Sequence, residues 1–239
     1  MRIFVTGATG YIGSEVVREL INAGHKVIGL TRSDKGALKL KEAGAEVHQG
    51  SLDDLDSLRS GAAIADGVIH LAFKHDFSDF AGSLATDLLA IEAIGDVLEG
   101  TGKPFLTTAH ANSTASDNAT LVLATRGVRA SIVSLSTSVH GDGDKGFVPR
   151  LINIAREKGF SAYVGDGSNR WPAVHRRDAA RLFRLALEAA PAGSILDGVG
   201  EEGIPFHDIA NAIGHHLNLP VVSITCEEAD AHFGFLGRI

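Results

Sequence analysis

The stretch Val5-Thr6-Gly7-Ala8-Thr9-Gly10-Tyr11-Ile12-Gly13 decides the fold of this chain. Its glycines follow the pattern G-x-x-G-x-x-G, directly after an apolar run and directly before residues with helical spacing that continue to Asn22. The first glycine permits a tight turn, the second lets the backbone approach a pyrophosphate, and the third lets helix and strand pack closely. A helix that starts here presents unpaired N–H groups to phosphates. The pattern therefore predicts a dinucleotide-binding turn; the alternative is a glycine-rich turn without a ligand.

Short apolar runs and amphipathic stretches alternate along the first half of the chain. The predicted strands are Ile3 to Thr6, Lys26 to Thr31, Glu46 to His48, Gly67 to Leu71, Lys103 to Thr108 and Arg129 to Leu135. The predicted helices between them are Ser14 to Asn22, Lys35 to Ala43, Asp53 to Arg59 (capped near Ser51), Phe80 to Leu98 and one that ends at Thr125. Such alternation is typical of parallel βαβ units. It predicts an α/β fold with a Rossmann-type, doubly wound parallel sheet.

The pattern changes after Val139. Residues 140–239 contain glycine-rich turns, including the segment from Gly165 to Pro172, and three predicted helices, Phe147 to Lys158, Arg176 to Ala190 and Phe206 to Leu217. We interpret 1–239 as a single domain, with a cofactor-binding core over about 1–139 and a smaller C-terminal substrate lobe over about 140–239.

Composition limits the possible partners. The chain has 239 residues, with 22 Lys and Arg against 29 Asp and Glu, so its formal charge is −7. This acidic balance argues against binding to nucleic acid or to an anionic membrane, both of which would repel it. No apolar run approaches the length of a membrane span, and the N-terminus lacks a signal-peptide pattern. We expect a cytoplasmic monomer or homodimer that binds a small-molecule substrate, with Cys226 buried or inert.

The end of the second predicted strand indicates which cofactor is bound. NAD-binding proteins usually place Asp or Glu there to hold the ribose hydroxyls. This strand is followed by Arg32 and Ser33, and no acid comes before Asp34. Arginine can pair with a 2′-phosphate, and serine can add a donor. We therefore expect NADP, with NAD as the alternative and a solvated surface charge as the other interpretation of Arg32.

Several segments together resemble a known group of enzymes. These segments are VTGATGYIG (5–13), GVIHLAF (67–73), VHGDGDKGFVP (139–149), a segment over 161–187 and EEGIPFHDIANAIG (201–214). Through them the chain resembles the short-chain dehydrogenase/reductase superfamily, in its extended and atypical NAD-dependent epimerase/dehydratase branch. The resemblance implies a Rossmann-type sheet, an NAD(P) cofactor and a substrate pocket formed by the C-terminal lobe.

The resemblance also implies which residues contact the cofactor. The residues at the pyrophosphate would be Gly7, Thr9, Gly10, Tyr11, Ile12 and Gly13. Arg32 and Ser33 would meet the adenosine ribose. Leu71, Ala72 and Phe73 would pass the cofactor at the end of the fourth strand, and Thr107 and Thr108 would face the nicotinamide side.

The sequence differs from the superfamily in the residues that move a proton during the reaction. The superfamily uses a Tyr-x-x-x-Lys pair to move a proton during hydride transfer. The only tyrosines here are Tyr11 and Tyr163, and neither is followed by Lys at the fourth position. The corresponding spacing falls on Ser113 and Asp117. An active enzyme would need another proton donor.

Three residues are candidates for that chemistry. Thr108 could orient a carbonyl group. His110 or His140 could supply the proton, because imidazole titrates near neutral pH. The alternative interpretation of both histidines is a solvated loop residue.

Two other residues have structural alternatives. His70 lies in an apolar strand, so we expect a hydrogen-bonded core histidine. Trp171 either stacks on a flat ligand or anchors the smaller lobe.

We expect no metal, since His215 and His216 are neighbours on a helix and no CxxC or HExxH motif occurs.

Three functions remain open at this stage. The first is an NADP-dependent oxidoreductase that transfers a hydride to or from a small carbonyl or alcohol. The second is a non-catalytic NAD(P)-binding redox sensor or degenerate paralogue, which the missing Tyr-x-x-x-Lys favours. The third is an epimerase or dehydratase, which needs the same missing acid and base.

Overall fold

The computed structural model describes residues 1–76, 78–109, 113–234 and 236. The chain divides into two units. Unit 1 combines Met1–Leu135 with Arg176–Gly198, and unit 2 combines Ser136–His175 with Val199–Ile239. The polypeptide therefore leaves unit 1 once, returns to it for a helix and a strand, and leaves again.

The described elements follow the chain in this order. The strands are β1 (Arg2–Thr6), β2 (Lys26–Thr31), β3 (Glu46–Gln49), β4 (Gly67–His70), β5 (Pro104–Thr108), β6 (Arg129–Leu135), β7 (Ser138–His140), β8 (Ser161–Val164), β9 (Arg170–His175), β10 (Ile195–Gly198), β11 (Glu201–Pro205) and β12 (Val221–Ile224). The helices are α1 (Tyr11–Asn22), α2 (Asp34–Glu42), α3 (Leu55–Ala63), α4 (Phe80–Leu98), α5 (Thr114–Thr125), α6 (Phe147–Lys158), α7 (Arg176–Ala189), α8 (Phe206–Leu217) and α9 (Cys226–Phe233).

Unit 1 is built on a seven-stranded parallel sheet. Its strand order is β3-β2-β1-β4-β5-β6-β10, and every neighbouring pair runs parallel. This confirms the predicted Rossmann-type, doubly wound sheet; β10 is a seventh strand that the sequence pattern did not predict. The strand order reverses between β1 and β4, so a crevice opens at their carboxyl ends, where ligands of such sheets bind.

Alternation along β1 shows how the sheet buries both faces. Ile3 and Val5 point into one core with α1 and α7, whereas Phe4 points into the opposite core with α3 and α4. All three side chains are completely buried. A strand covered on both sides buries successive side chains, which is why Ile3, Phe4 and Val5 are all apolar.

Unit 2 has its own sheets and core. Strand β9 pairs parallel with β7 and antiparallel with β11, and β8 pairs parallel with β12. Trp171 of β9 is 3% exposed and packs edge-on against Phe206 of α8, with ring centroids 4.9 Å apart. Trp171 thus anchors the core of this unit, which was one of the two predicted roles. The turn predicted over Gly165 to Pro172 is partly wrong, because its last three residues begin β9.

Several predicted boundaries need correction. Helix α1 begins at Tyr11 and not at Ser14. Helix α3 begins at Leu55, and its cap is Asp54, whose carboxylate accepts the Ser57 N–H at 3.1 Å, so a cap near Ser51 is wrong. Helix α4 has the predicted bounds and 19 residues. Within the described ranges, no helix combines the length and apolar character needed to cross a membrane.

Candidate functional site

The glycine turn between β1 and α1 leaves no space for a side chain at Gly7 or Gly13. Gly7 has φ +66°, and a Cβ atom there would lie 2.7 Å from the backbone carbonyl carbon of Leu71. A Cβ atom on Gly13 would overlap the carbonyl oxygen of Gly7. The N–H of Gly10 donates to that same oxygen at 2.9 Å and closes the turn. A ligand at this turn would therefore meet backbone N–H groups directly.

The N-terminus of α1 is open to an anion. Its N-cap is Gly10, no acidic residue lies in the first turn, and no described side chain caps the helix. Helices α2, α3, α4 and α9, in contrast, are capped by side chains. The N–H groups of the first turn and the positive end of the helix dipole can then bind phosphate oxygens. The cradle of glycines and the open helix end both fit a dinucleotide pyrophosphate.

Arginines surround the next turn of α1. Glu15 is 6% exposed and pairs with Arg18, with Arg176 at 3.8 Å and with Arg177 at 3.7 Å. The guanidinium carbon of Arg176 lies 5.4 Å from the centre of the Tyr11 ring. Guanidinium groups this close to the glycine turn favour an anionic ligand there.

The end of β4 is fastened to the glycine turn. The N–H groups of Leu71 and Ala72 both donate to Thr6 Oγ1, each at 3.2 Å. Thr6 is the last residue of β1, so the segment that follows β4 lies against the residues that open the turn. Phe73 comes next, and its ring contacts the Phe80 ring at 5.9 Å between centroids. Leu71 and Ala72, which the resemblance implied as cofactor contacts, are thus held beside Gly7.

A buried chain of polar side chains continues from this point. Thr6 Oγ1 lies 2.8 Å from His70 Nδ1, His70 Nε2 lies 3.2 Å from Asp87 Oδ1, and the Ser116 hydroxyl donates to Asp87 Oδ2 at 2.6 Å. All four side chains are at most 3% exposed. Thr6 Oγ1 already accepts two N–H groups, so its O–H donates to Nδ1 and the His70 proton lies on Nε2, facing Asp87. His70 is therefore the hydrogen-bonded core histidine that the sequence predicted.

This chain links four elements at the carboxyl edge of the sheet. It connects β1 and β4 to α4 through Asp87, and α4 to the first turn of α5 through Ser116. Sequence reasoning missed both Asp87 and Ser116. A signal was present: Ser83, Asp87, Ile91 and Ile94 recur at helical spacing on one stripe of α4, so Asp87 was an acid on an otherwise buried face.

The end of β2 presents Arg32 to solvent. Its side chain is exposed, and within the described part of the chain no carboxylate forms an ion pair with it. Ser33 caps α2, because its hydroxyl oxygen accepts the Gly36 N–H at 3.1 Å. Its O–H remains able to donate. Arg32 is thus a cation at the carboxyl end of β2, the position that the cofactor prediction required.

The carboxyl end of β5 carries two threonines with different surroundings. Thr107 is buried, and its hydroxyl lies 3.2 Å from that of Thr120 on α5. Thr108 is half-buried, and its hydroxyl donates to the His70 carbonyl oxygen at 3.4 Å. His110, the first candidate proton donor, lies outside the described residues.

The start of α5 holds a second carboxylate. Ser113 donates to both oxygens of Asp117, at 3.1 and 3.2 Å. Burial raises the pKa of Asp117 above its usual value, the Ser113 hydrogen bond lowers it in part, and the negative charge of Asp87 raises it further. These are the two residues on which the resemblance put the spacing of the Tyr-x-x-x-Lys pair. Sequence reasoning recorded that spacing and did not consider Asp117 as an acid.

His140, the other candidate proton donor, belongs to unit 2. It ends β7 and is half-buried, and its ring meets that of His175 at 5.4 Å between centroids.

Cys226 is exposed at the first position of α9, so the expectation of a buried thiol is wrong. Among the described residues, no three His, Cys, Asp or Glu side chains come together as metal ligands.

Unit 2 also contains a groove of about 770 Å³. Its apolar lining comes mainly from α6, β9 and α8, and the lining residues Arg156, Glu201 and Asp208 are exposed. The lining includes Val148, Ile152, Trp171, Ile209, Ala212 and Leu217. A volume of this size is within the range of small-molecule pockets, about 300–1,000 Å³.

Several known proteins are similar to this chain in sequence. The model of the NmrA-like family matches residues 1–85. An uncharacterized protein of Schizosaccharomyces pombe is 52% identical over 257 residues, covering 99% of this chain and 87% of that protein. A 2-alkyl-3-oxoalkanoate reductase of Stenotrophomonas maltophilia is 29% identical, covering 93% of this chain and 77% of that protein.

Solved structures share the fold. A dTDP-glucose 4,6-dehydratase double mutant of Streptomyces venezuelae, with NAD bound, superposes with a TM-score of 0.76. It is 19% identical, and the match covers 94% of this chain and 84% of that one. At this identity the likeness concerns the fold, which is the same parallel sheet with flanking helices.

Proposed function

Since the chain belongs to the short-chain dehydrogenase/reductase superfamily, in its extended and atypical epimerase/dehydratase branch, we propose that it is an NADP-dependent oxidoreductase. It would transfer a hydride to or from a small carbonyl or alcohol substrate. The observation that carries this proposal is the glycine cradle, which a Cβ atom on Gly7 or Gly13 would fill, together with the open end of α1.

The proposed cofactor contacts follow from that cradle. The turn from Gly7 to Gly13, with Thr9 and Ile12, would hold the pyrophosphate through backbone N–H groups. Leu71, Ala72 and Phe73 would lie along the cofactor, and Thr107 and Thr108 would lie toward its nicotinamide end. When bound, the nicotinamide ring would supply or accept the hydride. Thr108 would orient the substrate oxygen through its hydroxyl.

Arg32 supports NADP rather than NAD. It is an exposed guanidinium without an ion-pair partner among the described residues, and it precedes Ser33, whose O–H can donate. A guanidinium binds phosphate oxygens with charge-assisted, often bidentate hydrogen bonds. A carboxylate at this place would repel the 2′-phosphate, and none stands between the end of β2 and Asp34.

The Arg32→Ala variant tests the choice of cofactor. Charge-assisted hydrogen bonds contribute about 1.5–3 kcal/mol, so NADPH affinity should fall roughly 10- to 100-fold while NADH affinity changes less than about twofold. Lys41→Ala, which removes an exposed cation from the far end of α2, is the matched control and should change neither. Equal losses for both cofactors with Arg32→Ala would refute the NADP assignment.

The substrate proposal is a carbonyl compound with an apolar group, selected by unit 2. Two observations support it: one relative is by name a 2-alkyl-3-oxoalkanoate reductase, and unit 2 holds a largely apolar groove. The test is to follow NADPH oxidation with 2-alkyl-3-oxo acids and their esters, with short polar ketones as the comparison. Faster turnover of the alkyl compounds is expected.

A non-catalytic NAD(P)-binding protein is the second candidate, favoured by the absence of Tyr-x-x-x-Lys from the sequence. It predicts that NADPH binds and that no carbonyl or alcohol is converted. The same assay separates the two functions, because binding without turnover across the substrate series would favour this candidate.

A further inference from the structure

We propose that Asp117, at the start of α5, gives the proton to the substrate oxygen when the carbonyl is reduced. This inference rests on the proposed function and names the acid that the missing Tyr-x-x-x-Lys leaves open. The substrate carbon receives the hydride, with oxidation of the reduced nicotinamide, and the C=O electron pair moves onto oxygen. That oxygen takes the proton of the Asp117 carboxyl group, and water then reprotonates the carboxylate.

The position of Asp117 supports this role. Helix α5 follows β5, whose carboxyl end carries Thr108, and β5 neighbours β4 in the sheet. The carboxyl edge of the sheet at β1 and β4 is also where the glycine turn lies. Asp117 lies in the first turn of α5, the helix that follows the carboxyl end of β5, and ligands of doubly wound folds bind at this end of the sheet.

The two neighbouring carboxylates have distinct environments. Asp87 is 1% exposed and accepts hydrogen bonds from His70 and Ser116, so it is enclosed within the unit. Asp117 is only half-buried. A pair of carboxylates whose surroundings differ in this way is the arrangement in which one keeps a proton that it can donate. The more accessible member is Asp117.

The surroundings of Asp117 raise the pKa of its carboxyl group above the usual value. Burial raises its pKa, and the negative charge of Asp87 raises it further. Asp96 of α4 and Glu99, which follows that helix, pair with Arg126. Arg129 of β6 donates instead to the carbonyl oxygens of Leu187 and Ala190. Strand β5 carries no titratable residue.

Ser113 adjusts the same carboxyl group in the opposite direction. It is 3% exposed and donates to both Asp117 oxygens, which stabilises the carboxylate and lowers the pKa of Asp117. Removing this hydroxyl should therefore raise that pKa, whereas removing the Asp87 charge should lower it. Two substitutions with opposite expected directions test whether these two neighbours set the pKa of Asp117.

The first experiment follows the carboxyl group itself. In the protein without cofactor, NMR detection of the Asp117 carboxyl carbon should give a titration midpoint above the ordinary value of 3.8. Ser113→Ala should move that midpoint to higher pH, and Asp87→Asn should move it to lower pH. A midpoint at or below the ordinary value, or shifts in the same direction, would overturn the inference.

The second experiment links this titration to turnover. Asp117→Asn should lower kcat by about 100-fold or more, the usual contribution of a positioned acid, with NADPH affinity unchanged. The wild-type kcat/KM should fall as pH rises through the same midpoint. In the Ser113 and Asp87 variants, the pH at which kcat/KM falls should shift in the same direction as the titration midpoint of Asp117. Unchanged kcat in Asp117→Asn would overturn this role alone. A wild-type protein that reduces no carbonyl would overturn the proposed function as well.

Discussion

Replacing Asp87 with alanine tests how far unit 1 depends on its buried polar chain. The substitution removes the acceptor of Ser116 at 2.6 Å and of His70 Nε2 at 3.2 Å. Neither partner can turn to water, because Ser116 and His70 are 3% and 2% exposed. Each buried donor left without an acceptor costs about 1–3 kcal/mol. Two donors are left in this way, so we expect the free energy of unfolding to fall by about 2–6 kcal/mol.

The matched control lies on the same helix. Asp96 contacts Arg126 at 3.6 Å, and its side chain is 61% exposed, so Asp96→Ala should cost at most about 1 kcal/mol. Urea unfolding followed by circular dichroism measures both variants, while fluorescence of Trp171, the only tryptophan, reports on unit 2 separately. The reasoning would be refuted if Asp87→Ala lost no more stability than Asp96→Ala.

Two further substitutions test the cradle and the groove. Gly13→Ala places a Cβ atom on the Gly7 carbonyl oxygen, so α1 must shift, and NADPH affinity should fall about tenfold or more. Calorimetry measures this affinity, and the control Ser14→Ala, at an exposed position, should change it less than about twofold. An unchanged NADPH affinity in Gly13→Ala would contradict the role of the glycine cradle. Ala212→Phe fills part of the groove of unit 2, so steady-state kinetics should show a higher KM for alkyl ketones without a change in NADPH affinity. Equal KM values for wild type and this variant would remove the groove from the substrate proposal.

The regular part of the fold could be predicted because its signals are local. Strand β2, helix α4, strand β6 and helix α8 have the predicted bounds. In each, apolar residues recur with the period of one kind of element, and glycine, proline or polar residues mark the ends. The glycine turn was recognised for the same reason, since spacing alone defines it.

The remaining elements depend on contacts between distant residues. Strand β10 is short and ends in Asp197-Gly198, and it is a strand because it pairs with β6. Strand β9 contains Pro172, which the sequence indicated as a turn, yet pairing with β7 on one side stabilises it. Neither partner can be identified from local spacing.

The candidate site likewise has a part that local sequence predicts and a part that depends on contacts between distant residues. Contacts made by backbone near Gly7 follow from the motif, whereas Asp87 and Ser116 meet across 29 residues of sequence. The raised pKa of Asp117 likewise depends on burial and on the charge of Asp87, which no local pattern reveals. The absence of a Tyr-x-x-x-Lys pair is visible in the sequence, whereas the acid proposed in its place could be identified only from the structure.

The central claim is that the glycine cradle and Arg32 bind NADPH. Calorimetric titration of the wild-type protein with NADPH and with NADH tests it most directly. We expect NADPH to bind at least about tenfold more tightly than NADH, a difference of about 1.4 kcal/mol. Absence of binding by both nucleotides would contradict the cofactor proposal itself, and equal or tighter binding of NADH would contradict the role given to Arg32.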